Sequence, residues 1–345
     1  MDSRLLEYKD KNVLVTGNTG FKGSWLTVWL KHLGARVYGY SIEPPTTPNM
    51  YNALNLHKQV TQRLNDIRNY PYLQGFVEMT NPEYIFHMAA QPIVAKSYKD
   101  RRETFEVNVQ GTLNMVEAGL CSDTLKHLVV VTTDKVYENK PPYYYSENSP
   151  LGGDDPYGIS KACAELVVRA YRDRYTEAGK TITTVRAGNV VGGGDFAIRI
   201  VPETIKSIIT DKALNIWAPR SKRPWQHVLD CLYGYLLVGI TETRLNEAFN
   251  FGPSEENCIP VERLVTMIIK EWGKGNYQIA EKTFYETEFL MLNPTAAEVV
   301  FGWKVKYEPK AFVQKIVEWY KAFYEKSEDM YKLTLKQIEE YENLT

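Results

Sequence analysis

Short apolar runs alternate with segments of helical period along the first half of the chain. Asn12–Thr16 (Asn-Val-Leu-Val-Thr) is an apolar, β-branched stretch that breaks at once into glycines, the pattern of a buried parallel strand feeding a tight turn. Ser24–Leu33 then places Leu26, Trp29, Leu30 and Leu33 on one helical face, Gly34 ends the helix, and Arg36–Tyr40 predicts the next strand. Together these make a βαβ unit. The rhythm recurs, with strands at Tyr84–Met88, His127–Thr132 and Thr181–Arg186 and helices at Glu103–Leu120 and Tyr157–Thr176. The prediction is an α/β fold built on a doubly wound parallel sheet.

After Gly188 the rhythm breaks. Gly192-Gly193-Gly194 forms a joint, followed by short helices, prolines and aromatics, yet His227–Ile240 and Ala248–Phe251 still look like material that returns to the sheet. The expected organisation is therefore residues 1–189 with 225–252 as the sheet domain, and 190–224 with 253–345 as a smaller, interleaved domain. Asp329–Leu344 is charged with a weak apolar stripe, which predicts a surface helix.

Composition narrows the function classes. With 41 basic and 42 acidic residues the net charge is −1, and no segment concentrates Lys and Arg, which argues against a nucleic-acid partner. The four cysteines have neither metal-ligand spacing nor a disulfide framework, so no metal and a reducing, cytoplasmic setting are expected. No run approaches the roughly 20 apolar residues of a membrane span, and Met1–Lys11 is charged with no apolar leader behind it.

The first strand runs into Gly17-Asn18-Thr19-Gly20-Phe21-Lys22-Gly23. Glycines there let the backbone turn sharply and approach a pyrophosphate, whose charge a helix N-terminus favours. That is the phosphate turn of a Rossmann domain, although its Gly-x-x-Gly-x-x-Gly spacing is also that of a tight turn without a ligand. Where NAD-binding sheets carry an acidic residue at the end of the second strand, this chain has Ser41, so NADP stays open beside NAD. Asp66 follows the third strand and is placed either for the adenine end or as a loop cap.

Tyr157 and Lys161 are four apart at a helix start and share a face. A neighbouring ammonium lowers a tyrosine from its usual pKa of about 10, so such a pair can abstract a hydroxyl proton. Thr133, at the end of the preceding strand, can bond the same substrate oxygen.

These motifs, with His87-Met88-Ala89-Ala90-Gln91 and Asn108-Val109-Gln110-Gly111-Thr112, resemble the extended short-chain dehydrogenase/reductase superfamily over nearly the whole chain. Within it, Gly20-Phe21-Lys22-Gly23-Ser24-Trp25, Thr133-Asp134-Lys135-Val136-Tyr137, Arg186-Ala187-Gly188-Asn189-Val190 and Arg223-Pro224-Trp225-Gln226-His227 resemble the CDP-glucose 4,6-dehydratases. The resemblance implies a tightly held NAD contacted by Gly17–Gly23, Asp66, Ile67, Ala89, Ala90, Gln91, Asn108, Tyr157 and Lys161. It implies hydride removal from sugar C4 aided by Tyr157, Thr133 and Lys161, loss of water across C5 and C6, and return of the hydride to C6. Asp134-Lys135 supplies what a plain dehydrogenase does not need: an acid at C6, with Lys135 either the C5 base or a cation stabilising the enolate. A surface ion pair after a strand is the plain alternative.

Gln91, Thr133, Asn189 and Arg223 are the expected substrate contacts, the last two at the diphosphate, where a guanidinium matches phosphate oxygens. His227 is expected to be structural. Trp217 and Trp225 are either base-stacking or core residues. Asn18 stands where the subfamily usually has His, and Asn293-Pro294-Thr295-Ala296-Ala297 departs from its usual stretch, which leaves the nucleotide base open. A homodimer packed through Glu103–Leu120 and Tyr157–Thr176 is implied. The rival readings are a nucleotide-sugar 4-epimerase, which has no use for Asp134-Lys135, and a non-catalytic redox sensor.

Overall fold

The computed structural model describes residues 2–141, 143–241, 247–280 and 290–344. Seven strands form one parallel sheet: β1 (Asn12–Thr16), β2 (Arg36–Ser41), β3 (Thr61–Leu64), β4 (Tyr84–His87), β5 (His127–Val131), β6 (Thr181–Ala187) and β7 (Ala248–Phe251). Their order is β7-β6-β5-β4-β1-β2-β3, with β1 between β4 and β2 and Val13 lying opposite Val37 of β2 and Tyr84 of β4. The connecting helices are α1 (Phe21–His32), α2 (Tyr70–Thr80), α3 (Gly111–Cys121) and α4 (Pro156–Glu177). Then follow α5 (Ile200–Ile209), α6 (Val228–Ile240), α7 (Val261–Trp272), α8 (Pro309–Glu325) and α9 (Met330–Glu342).

The period-2 alternation of the strands divides the core in two. Val13, Val15, Phe86, Val129 and Val131 face one side, where α1 and α6 supply Trp25, Trp29, Leu229 and Leu236. Leu14, Ile85, Leu128 and Val130 face the other, against Leu73 and Phe76 of α2, Met115 of α3 and Val168 of α4. Being buried on both faces, these strands read as continuous apolar runs rather than alternating ones.

Two expectations shift. The Glu103–Leu120 helix is broken by a wide π-type turn over Glu106–Gln110 before α3 begins. The C-terminal helix α9 is not a free surface element: Leu333, Ile338 and Tyr341 are buried, Trp29 Nε1 donates to Glu342 Oε1 at 2.8 Å, and Tyr341 Oη donates to buried Asp230 at 2.9 Å. The stripe that looked weak consists of large residues meeting the aromatic face of α1.

Candidate active site

The site lies at the carboxyl ends of β1, β4 and β5. Gly17 has φ +74°, a left-handed conformation that favours glycine, and a Cβ there would lie 2.7 Å from Ala89 N. A Cβ on Gly23 would lie 2.2 Å from Gly17 O, whereas one on Gly20 would meet only Gly17 O, at 3.3 Å. Gly17 and Gly23 thus close the turn while Gly20 leaves its outer face open at the start of α1, which suits a pyrophosphate. Met88 N and Ala89 N both bond Thr16 Oγ1, which fixes the loop of Ala89 and Ala90 beside the turn.

Asn18 is buried under the turn in an uncharged cluster, accepting from Ser41 Oγ at 3.0 Å and donating to Gln62 Oε1 at 2.6 Å. Asp66 does not offer a free carboxylate, since both its oxygens bond Arg68. Ile67 is buried next to it, with its carbonyl held by Asn114. Gln91 and Asn108 bond one another: Gln91 N donates to Asn108 Oδ1 at 2.8 Å, and Asn108 Nδ2 reaches Ser160 Oγ of α4 at 2.9 Å. Gln91 Nε2 is taken by Thr104, so this residue shapes the loop after β4.

Strand β5 ends at Val131, and the chain turns through a single 3₁₀ turn at Asp134–Val136. The turn is what lets consecutive residues face one site, which a continuing strand would forbid. Thr133 Oγ1 donates to Asp134 Oδ1 at 2.9 Å and also hydrogen-bonds the Tyr157 phenol. Asp134 lies against Gly188, where a Cβ would come within 1.9 Å of its carboxylate. Lys135 follows in the same turn, its Nζ 3.6 Å from Asp155 Oδ2 at the start of α4.

The electrostatics of Tyr157 differ from the expected pattern. Burial pushes its phenol up to about 12; the Thr133 hydrogen bond and Arg199 oppose this, while Asp134 and Asp155 reinforce it. Arg199, not Lys161, is the cation that works against burial here. Lys161 instead donates to Val131 O at 2.8 Å, and burial followed by the charge of Lys22 brings it down to about 8. Lys22 reaches inward from the glycine turn to within 5.7 Å of the Tyr235 ring centre, and burial lowers its pKa.

Beneath the site, buried Glu165 ties its two halves together. It accepts from Thr132 of the β5 end at 2.5 Å and from Arg186 of β6 at 2.8 Å, one helical turn beyond Lys161. Arg186 also reaches the Tyr137 hydroxyl at 2.7 Å.

Of the expected diphosphate contacts, Asn189 sits at φ +51° directly after Gly188, with its carbonyl accepting from Gln226 N. Arg223 lies in the short strand Lys222–Pro224 paired with Cys258–Pro260, and Nη1 donates to Lys222 O. Trp225 is a core residue bonded to Ile259 O, Trp217 is half-exposed, and His227 is fully buried. Sequence reasoning missed Arg199, Asp155 and Gly188. Asp155 alone carried a signal, as an acidic residue just before Pro156 at a helix start.

Comparison with known proteins settles the family. The sequence profile of the family described as GDP-mannose 4,6 dehydratase matches residues 14–316. The chain belongs to that family. Its relatives include the CDP-glucose 4,6-dehydratase of Salmonella typhimurium, 38% identical and aligned over 98% of each chain. Among solved structures, the fold of this family member matches a dTDP-glucose 4,6-dehydratase from Bacillus anthracis (TM-score 0.77, 23% identity, 94% of this chain and 99% of that one). It equally matches a UDP-glucose 4-epimerase from Thermotoga maritima (TM-score 0.78, 23% identity, 92% and 99%). At that identity the two matches report the fold alone, so the choice between elimination and epimerisation rests on the site.

Proposed function

We propose that the chain converts CDP-glucose to CDP-4-keto-6-deoxyglucose with a retained NAD. The observation that carries this reading is the Asp134–Val136 turn, which brings an acid beside the Thr133–Tyr157 pair where an epimerase needs none. The kinship to a CDP-glucose 4,6-dehydratase over the whole chain supports the nucleotide.

The residues present fit NAD. Gly17–Gly23 would hold the pyrophosphate, Ala89 and Ala90 would line the next stretch, and the uncharged Asn18–Ser41–Gln62 cluster lies at the end of β2. When bound, NAD takes up a hydride and gives it back, so the cycle is redox-neutral. For Tyr157, beside Thr133, to take the proton of the sugar C4 hydroxyl it must first give up its own phenolic proton. Lys161, lowered to about 8, is the group that relays it, exchanging its own proton near neutral pH. Asp134 delivers a proton to the C6 hydroxyl as it leaves, and Lys135 takes the C5 proton or stabilises the enolate that its loss leaves. Asn189 and Arg223 hold the diphosphate.

The larger domain is read as residues 1–189 with 225–252, and the nucleotide-sugar domain as 190–224 with 253–345. A homodimer through α3 and α4 is supported by Ile159 and Leu166, which lie 39% and 43% exposed on α4. Four free thiols suit a reducing cytoplasm, and among the described residues no helix is long and apolar enough to cross a membrane.

The test is a panel of CDP-, dTDP-, UDP- and GDP-glucose, each deuterated at C4 and scored for the keto sugar. CDP-glucose should give it fastest, with deuterium in the C6 methyl group. Deuterium returned to C4 with an inverted hydroxyl and no methyl group would make the chain an epimerase.

A further inference from the structure

The ammonium of Lys135 lies where stability alone would not put it. The turn carrying Lys135 packs its backbone directly on the start of α4: a Cβ on Gly158 would lie 2.6 Å from Lys135 O, and one on Gly153, at φ +76°, 3.0 Å from the same oxygen. This close approach lodges a cation at the positive end of a helix of 22 residues, where the macrodipole opposes it. The opposing group is Asp155. Its Oδ1 accepts from Gly158 N at 2.8 Å and so caps α4, while Oδ2 lies 3.6 Å from Lys135 Nζ. The Asp155 side chain is only 11% exposed, whereas that of Lys135 is 42% exposed and has solvent to retreat into.

We propose that Asp155 is a positioning residue for water loss: one carboxylate oxygen starts the helix that bears Tyr157 and Lys161, and the other holds Lys135 at the mouth of the site. The inference rests on the dehydratase reading above. It assigns Asp155 to elimination and not to oxidation at C4, and it makes Asp155 act through Lys135.

Asp155→Asn separates the two duties, because asparagine caps a helix as well as aspartate does while lacking the charge. In the NAD-loaded enzyme with CDP-glucose, the melting temperature should match the wild type, and nicotinamide reduction should be no slower, because the Asp155 charge helps hold the Tyr157 phenol up. Formation of the keto sugar should slow by about 10- to 100-fold, the cost of misplacing a group by roughly 1 Å. Exchange of the C5 hydrogen of the enzyme-bound keto sugar with deuterated water, read by proton NMR, should slow by the same factor. Lys135→Met should lose elimination too, and Asp155→Asn added to it should cost nothing further. Unchanged or faster elimination in Asp155→Asn, loss of nicotinamide reduction along with it, or additive losses in the double variant would each overturn the proposal. A wild-type chain that makes no keto sugar overturns the functional reading and this inference with it. A wild-type chain that does, beside an unaffected Asp155→Asn, overturns the inference alone.

Discussion

Replacing Gly188 by alanine tests how closely the acid of the proposed reaction is placed. Gly188 has no positive φ, so its backbone accepts alanine without strain, and any effect must come from the added methyl group. That methyl would sit 1.9 Å from Asp134 Oδ2 and 2.3 Å from Cγ, against a comfortable separation of about 3.5 Å. The carboxylate must retreat by roughly 1.5 Å, which breaks its 2.9 Å bond from Thr133 Oγ1. A displacement of that size predicts a loss of about 10²-fold in water elimination, with crowding costing about 1–3 kcal/mol of stability. Oxidation at C4 uses Tyr157 and should persist, so rapid mixing with CDP-glucose should show nicotinamide absorbance rising and staying high. Gly75→Ala is the control, since nothing lies within 4 Å of its added methyl in α2, and it should be neutral or up to about 1 kcal/mol more stable. Wild-type turnover by a folded Gly188→Ala enzyme would refute the placement of Asp134 as the acid.

Three further outcomes are expected. Tyr157→Phe keeps the ring and removes the hydroxyl, so C4 oxidation should fall by about 10²–10⁴-fold in single-turnover absorbance while thermal stability holds. Arg186→Met strands the buried Glu165 carboxylate and should cost about 3–5 kcal/mol in urea denaturation, and adding Glu165→Gln should recover a large part of that. Burial lowers His87, His127 and His227 to about 3, so the stability they contribute is full above their usual 6.5 and is lost as pH falls through the interval between. Asp230, raised by burial to about 7, works the other way, its contribution shrinking as pH rises from 3.8. Between about pH 4.5 and 6 the net is two groups, so stability should rise with pH by about 3 kcal/mol per unit, and a flat profile of melting temperature would contradict it.

How much of this was legible in the sequence depends on the range of the contacts involved. Strand β1 was readable to the residue, because Val13, Leu14 and Val15 are buried whichever face they take. Helix α1 starts at Phe21 and not at Ser24, because the glycine turn closes at Gly20 and the helix already includes Gly23. The Tyr157–Lys161 spacing was local and so visible. The partners that shape their chemistry were not: Arg199 comes from the segment before α5, Lys22 from α1, and Gly188, which makes room for Asp134, follows β6. Likewise the broken helix at Glu106–Gln110 coincides with Asn108 being claimed by Gln91 and Ser160, contacts that no window of local pattern contains.

The sheet order carries a consequence for how the chain is made. Strand β7 is the edge neighbour of β6, yet its first residue is synthesised about 60 residues after β6 ends. At roughly 5–20 residues per second, the ribosome leaves β6 with an open edge for several seconds. During that interval Thr183, Val185 and Ala187, buried in the finished protein, line an unpaired strand that another nascent chain can join. Production of this protein should therefore depend on chaperone capacity and translation speed through residues 188–251 more than on its final stability.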